Sequence, residues 1–186
     1  MAVLGKNLSA LILGTVGLAA SILLAHGAEG PTEYQVKAVF IYNFSHFIEW
    51  PARAFGTPDD PFDICILGND PFGTHLDEAV KGEQLDQHPL SVRRLHDVTD
   101  VNTCRILYLG RSTAAEIHQI LTILDHRPIL TVSEQESSAE HDVMIQFTTE
   151  NNHIRLRINV DSARAAGLTI SSKLLRPAEI VPSAKE

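Results

Sequence analysis

The chain is 186 residues long, 44% hydrophobic and 20% charged, with 15 Lys+Arg against 23 Asp+Glu and a formal net charge of −8. That length fits one domain, and so ordinary a composition excludes a collagenous, low-complexity or disordered chain. Two cysteines are too few for a disulfide-dense mini-protein, and an acidic balance without a basic run argues against nucleic-acid binding, which needs clustered Lys and Arg to neutralise phosphates.

Lys6 leads into Leu8 to Ala25, a run with no charged side chain. This predicts a secretory signal peptide over residues 1–28, cleaved after Gly27 or Ala28, ahead of an exported domain over 29–186 with its core at about 33–176. An uncleaved anchor is the competing reading, but the run is short of the roughly 20 residues a span needs, and polar sequence follows at once. Export alters what the cysteines mean, because the periplasm oxidises paired thiols. Cys65 and Cys104 each sit in a strand-like apolar run, so a bridge would join two neighbouring strands and close a loop of about 40 residues, worth roughly 4 kcal/mol. Two unpaired buried cysteines are the other possibility.

The first predicted element is a helix from Glu33 towards Trp50, with Val36, Phe40, Phe44 and Phe47 at helical spacing and Pro51 stopping it. The segment from Tyr34 to Trp50 holds six aromatics out of 7 Phe, 3 Tyr and 1 Trp in the chain, so the helix is apolar on more than one face. Either it is a core helix, or its second face, around Ile41, Tyr42 and Ile48, docks a partner. The aromatics Tyr42, Phe44 and Trp50 are the partner-binding candidates. A Pro-rich link from Thr57 to Pro61 precedes the first strand, Phe62 to Leu67. Asn69 or Asp70 can cap a helix running to about Val80, with Pro71 just inside it.

Lys81 to His88 is polar and leads to a strand over Pro89 to Leu95. Asp97 to Asp100 is a short turn or helix. The second cysteine strand follows, ending at Gly110, and Ser112 suits the cap of a helix from Thr113 to Leu124. Pro128 to Val132 is a buried strand, and Ser133 to Asp142 is a polar loop. Beyond it the texture alternates strictly: Val143, Ile145 and Phe147 face one way, as do Ile154, Leu156, Ile158 and Val160, with Glu150-Asn151-Asn152 as the turn. Asp161 to Gly167 and Leu168 to Arg176 read as two helical turns ending at Pro177. Together these elements predict a single α/β domain: a mixed, mostly parallel sheet of about six strands, a C-terminal antiparallel hairpin, and helices on both faces.

Strand-turn-helix units invite a nucleotide-binding reading, yet the chain has no GxGxxG or GxxxxGKS, and the turns at Gly68-Asn69-Asp70 and Gly110-Arg111-Ser112 lack the glycine spacing a pyrophosphate needs. No HExxH or i, i+4 His pair points to a metal, and His118 and His126, eight apart, set no coordination geometry. Neither a GxSxG elbow nor an SxxK pair is present. No catalytic residue, metal or cofactor is therefore assigned. Arg155 and Arg157 form the polar face of one strand, either plain solvent side or a surface for an acidic partner.

Assembled, the chain resembles the YfiR family of periplasmic proteins from about Glu33 to Arg176. The resemblance rests on "EYQVKAVFIYNFSHFIEWP", "FDICILGNDPFG", "CRILYLGRS", "ILTVSE" and above all "IRLRINVDSARAAGLTISSKLLR", in that order and spacing with the Cys65 and Cys104 pair. It implies a regulator without catalytic activity that binds the periplasmic sensory region of an inner-membrane diguanylate cyclase and keeps cyclic di-GMP, and with it biofilm formation, low. It also implies an OmpA-like outer-membrane lipoprotein that sequesters the regulator, and a link between redox state and integrity through the disulfide. A homodimer would cover the apolar helix. Three departures stand out. A second cysteine pair near the hairpin, carried by some members, is missing. Glu140-His141-Asp142 replaces a glycine-rich approach to the strand, and Pro177 ends the last helix early. The rival function is a periplasmic small-molecule receptor with its pocket at the carboxyl ends of the strands.

Overall fold

The computed structural model describes residues 31–57, 59–135 and 143–182. The leader expected over residues 1–28 and most of the loop expected after Ser133 lie outside the described residues. Helix α1 spans Glu33–Phe47 and starts with a capping box: Thr32 Oγ1 accepts from the Gln35 amide, and Gln35 Oε1 accepts from the Thr32 amide. This satisfies two N-terminal backbone donors reciprocally. The helix stops earlier than the aromatic spacing predicts, because Ile48–Glu49 turns into a short strand, β1, before Pro51.

Strand β2 (Phe62–Leu67) is followed by α2 (His75–Val80), a two-residue β3 (Gln84–Leu85), β4 (His88–Leu95), β5 (Cys104–Leu109), α3 (Ile117–Ile123) and β6 (Leu130–Ser133). Next come β7 (Ile145–Glu150), β8 (His153–Ile158), α4 (Val160–Ala165), β9 (Thr169–Ile170), α5 (Ser172–Leu175) and β10 (Glu179–Ile180). The main sheet runs β10-β8-β7-β6-β5-β2-β4-β3. Its centre, β4 through β7, is parallel, while β8 lies antiparallel to β7. This is the expected mixed sheet and hairpin, with six strands of four or more residues and two short edges.

The chain enters the sheet at β2, steps sideways to β4, then returns past β2 to β5. Right-handed crossovers in opposite directions put their helices on opposite faces. Accordingly α2 packs beside α1 in a core with Phe62, Ile64, Ile66, Ile106 and Tyr108, whereas α3 covers the other face with Cys65, Leu107, Leu109 and Val101. Every residue of β2, β5 and β6 is buried, as parallel strands covered on both sides require.

Several local expectations shift. Asp70 caps a turn by accepting from the Phe72 amide, and α2 begins only at His75. Ser112 does not cap α3; its Oγ accepts from the Asn69 amide across the sheet top, and α3 starts at Ile117 after a 3₁₀ turn. Val143 precedes β7 and joins the α3-side core, opposite Ile145 and Phe147. Leu168 to Ile170 forms no helix: β9 pairs with β1, Ile48 facing Ile170, which fastens the exit of α1 to the C-terminal segment. The hairpin turn stands as predicted, with Asn151 at φ 49° and Asn152 at φ 62°, the two positive values a two-residue turn between twisted strands demands.

Candidate functional site

Cys65 and Cys104 are joined in a disulfide, with Cα atoms 5.8 Å apart and both residues buried. It links β2 to β5 at the centre of the parallel sheet, so a chain-entropy contribution of about 4 kcal/mol acts on the strands that everything else packs against.

The three aromatic candidates separate. Phe44 is fully buried and stacks on Phe147 with ring centroids 5.9 Å apart, so its side chain belongs to the core and holds α1 from beneath. Ile41 and Ile48 are buried as well, which removes them from any docking face. Tyr42 is half-exposed; its hydroxyl donates to Glu83 and its ring lies edge-on to His46. With Val39, Asn43 and His46 it lies on the outer stripe of α1, where Val39 is 51% exposed, an unusual figure for a large apolar side chain in this fold. Trp50 is half-buried near the amino edge of the sheet, edge-on to Phe62, with Nε1 donating to the Arg105 carbonyl.

At the carboxyl edge the structure builds a network that the sequence pattern did not disclose. Glu134 directly follows β6, and its side chain is 3% exposed. Lys37 Nζ donates to one carboxylate oxygen at 2.5 Å; Tyr34 Oη and Arg111 Nε reach the other at 3.0 and 3.1 Å. Lys37, equally buried, also pairs with Glu33 at 2.6 Å. Burial works to raise the Glu134 carboxyl, but the Lys37 bond, with Tyr34 and Arg111, outweighs it and holds the group below its usual range. Burial likewise works to lower Lys37, and its two carboxylate partners carry it above the ordinary lysine value. Beside them Tyr108 is fully buried, and burial followed by the Glu134 charge drives its phenol far upward. The signal for this network was Lys37 itself, the cation of an otherwise apolar helix, since a lysine on such a face must find a buried partner.

The topological switch point, where nucleotide-binding sheets open, lies between the ends of β2 and β5. Here the two turns close on each other: the Asn69 amide donates to Ser112 Oγ, and the Ser112 amide donates to Asn69 Oδ1, at 2.9 and 3.0 Å. A Cβ on Gly110 would overlap the Asn69 backbone, so glycine allows this close approach. Beneath the turns on the α3 side lies a cavity of about 530 Å³ lined by His96, Asp97, Thr99, Thr113, Glu116 and Ile120, among others. It holds no Lys or Arg, and Asp97 and Glu116 line it, so it is not built for phosphate. Among the described residues no group of three His, Cys, Asp or Glu is placed to hold a metal ion.

The family model described as YfiR/HmsC-like matches residues 34–179 of the chain. The chain belongs to the YfiR/HmsC-like family. The match takes in all five helices and every strand described above, except Glu33 of α1 and Ile180 of β10. The family is one of regulators connected with diguanylate cyclase signalling. No helix among the described residues is long and apolar enough to cross a membrane.

Proposed function

We propose that the protein is an exported, non-catalytic regulator that represses cyclic di-GMP synthesis by binding the periplasmic sensory region of an inner-membrane diguanylate cyclase. The family match over nearly the whole folded region carries this reading. The buried disulfide supports export, because such a bridge persists in an oxidising compartment, and residues 1–28 act as its signal peptide. Binding works as a population shift: a ligand with higher affinity for the inactive receptor lowers output by that difference. The outer stripe of α1, with Tyr42 at its centre and Trp50 beyond its end, is the contact surface, and Phe44 sets the height of the helix beneath it. An OmpA-like outer-membrane lipoprotein competes by sequestering the regulator, and a homodimer would cover the same stripe.

The direct test is binding of the purified protein to the periplasmic region of a diguanylate cyclase encoded beside its gene. The wild type binds and Tyr42→Glu does not, while both melt at similar temperatures. Equal binding by the two would remove α1 from the interface, and no binding by the wild type would overturn the regulator reading. A second reading is favoured by the 530 Å³ cavity at the carboxyl ends of β2 and β5: a small-molecule receptor, whose ligand would raise the melting temperature in proportion to log concentration.

A further inference from the structure

Arg105 lies at the amino edge of the sheet, where the register between β2 and β5 slips. Asp63 faces Cys104 and Ile64 faces Ile106, so Arg105 is the extra residue of a bulge. Bulges re-aim side chains. This one leaves Cys104 on its disulfide and lays the Arg105 guanidinium over the Phe55 ring, 4.6 Å from its centroid. The same ring stacks on His88 at 4.0 Å.

The residue is only 5% exposed, and a buried guanidinium is ordinarily matched by a carboxylate. Here none among the described residues is in contact. Nη1 is used on the Thr103 and Cys104 carbonyls at 2.7 and 3.3 Å, and Nε is buried with no acceptor among the described residues. Both nearby acids are engaged elsewhere. Asp63 receives Ser91, Thr103 and Arg93, and Asp60 receives the Gly56 and Thr57 amides and the Thr57 hydroxyl. Their charges act on Arg105 from a distance, and desolvation still pulls its pKa below the ordinary value. Nε itself is closed to solvent, and Phe55, His88 and Trp50, each only partly buried, are the side chains that shift to admit a ligand to it.

We propose that Arg105 is a receptor for a carboxylate, which it takes in a fork along its Nε edge with the Phe55 face as its wall. An arginine presents two parallel donors along that edge, matched to a carboxylate in spacing and direction. The group comes either on a free small acid or on an acidic side chain of a protein partner. Nothing in this site depends on the cyclase reading.

Trp50 supplies the readout. It is the sole tryptophan, and its indole N–H donates to the Arg105 carbonyl. The purified protein is titrated with sodium acetate against sodium chloride at equal ionic strength, and separately with the blocked tripeptide N-acetyl-Gly-Glu-Gly-amide. Trp50 emission and its indole proton shift are followed throughout. Either carboxylate probe gives a saturable change that chloride does not. Arg105→Met abolishes the change, and Arg105→Lys, which keeps the charge without the fork, weakens binding about tenfold. Tighter binding of the tripeptide points to a partner's side chain, and tighter binding of acetate to a free acid. A wild type whose Trp50 signal responds identically to acetate, tripeptide and chloride overturns the proposal even if the variants fail to fold. An unchanged acetate response in a folded Arg105→Met protein overturns it too.

Discussion

The buried cations at the two edges of the parallel sheet are matched in opposite ways. At the carboxyl edge, Glu134 has three partners and Lys37 two, drawn from α1, the residue after β6 and the turn after β5. At the amino edge, Arg105 is as deeply placed and has an aromatic wall, backbone carbonyls and no acid in contact among the described residues. A completed network fastens elements together, and its removal should show as lost stability. An uncompleted one adds little to stability and keeps a donor unfilled. The contrast separates residues that hold this fold from residues open to a ligand.

The largest effect belongs to the covalent link between the strands that both edges share. Cys65→Ser should lose about 4 kcal/mol, a fall in melting temperature on the order of 10 °C, and the difference should vanish in reductant. Equal melting of wild type and variant without reductant would contradict it. Next, Glu134→Ala leaves Lys37 buried with only Glu33, and should cost about 3 kcal/mol in urea denaturation. The double variant Lys37→Met, Glu134→Leu should cost less than Glu134→Ala alone, because no unpaired charge remains. A strictly additive pair would mean that the network is not coupled.

The pH dependence sharpens the same contrast. Glu134 is held below its unfolded value of 4.5, so its contribution is complete above that pH and is lost as pH falls through the folded value. Lys37 is raised above 10.5, so its share is complete below that pH and lost as pH rises through the folded value. The stability gap between wild type and Glu134→Gln should therefore be flat near neutrality and close in acid. A gap that widens in acid would reverse the assignment. Smallest of all, Arg105→Met should leave stability unchanged or raise it by about 1 kcal/mol, since it removes a buried cation that no carboxylate of the described residues touches. A loss of more than about 2 kcal/mol would place Arg105 among the fastenings instead.

The sequence was most informative where one rule decided the outcome. Continuous apolar runs gave β2, β5 and β6, strict alternation gave β8, and Asn151-Asn152 gave the hairpin turn. Export and spacing pointed to the disulfide. Where tertiary contacts compete, the pattern misled. Ser112 and Asp70 look like helix caps, but Ser112 is drawn to Asn69 across the sheet top and Asp70 to its own turn. Leu168 to Ile170 looks helical until β1 is there to pair with it. Two buried cations left only faint traces, Lys37 inside an apolar helix and Arg105 inside an apolar strand. Each asked for a partner, and nothing in the order of residues reveals that Glu134 answers one while the other is unanswered. Of the aromatic candidates, Phe44 was indistinguishable from Tyr42 by spacing, because a helix apolar on several faces gives no direction for the core.

The measurement closest to the central claim is cellular cyclic di-GMP in strains with and without the gene, with the cognate cyclase expressed and a Cys65, Cys104 double variant as a third arm. Deletion should raise cyclic di-GMP, the wild-type gene should restore it, and the double variant should restore it poorly. An unchanged level on deletion would contradict repression and move the cavity beside α3 to the front as the functional site.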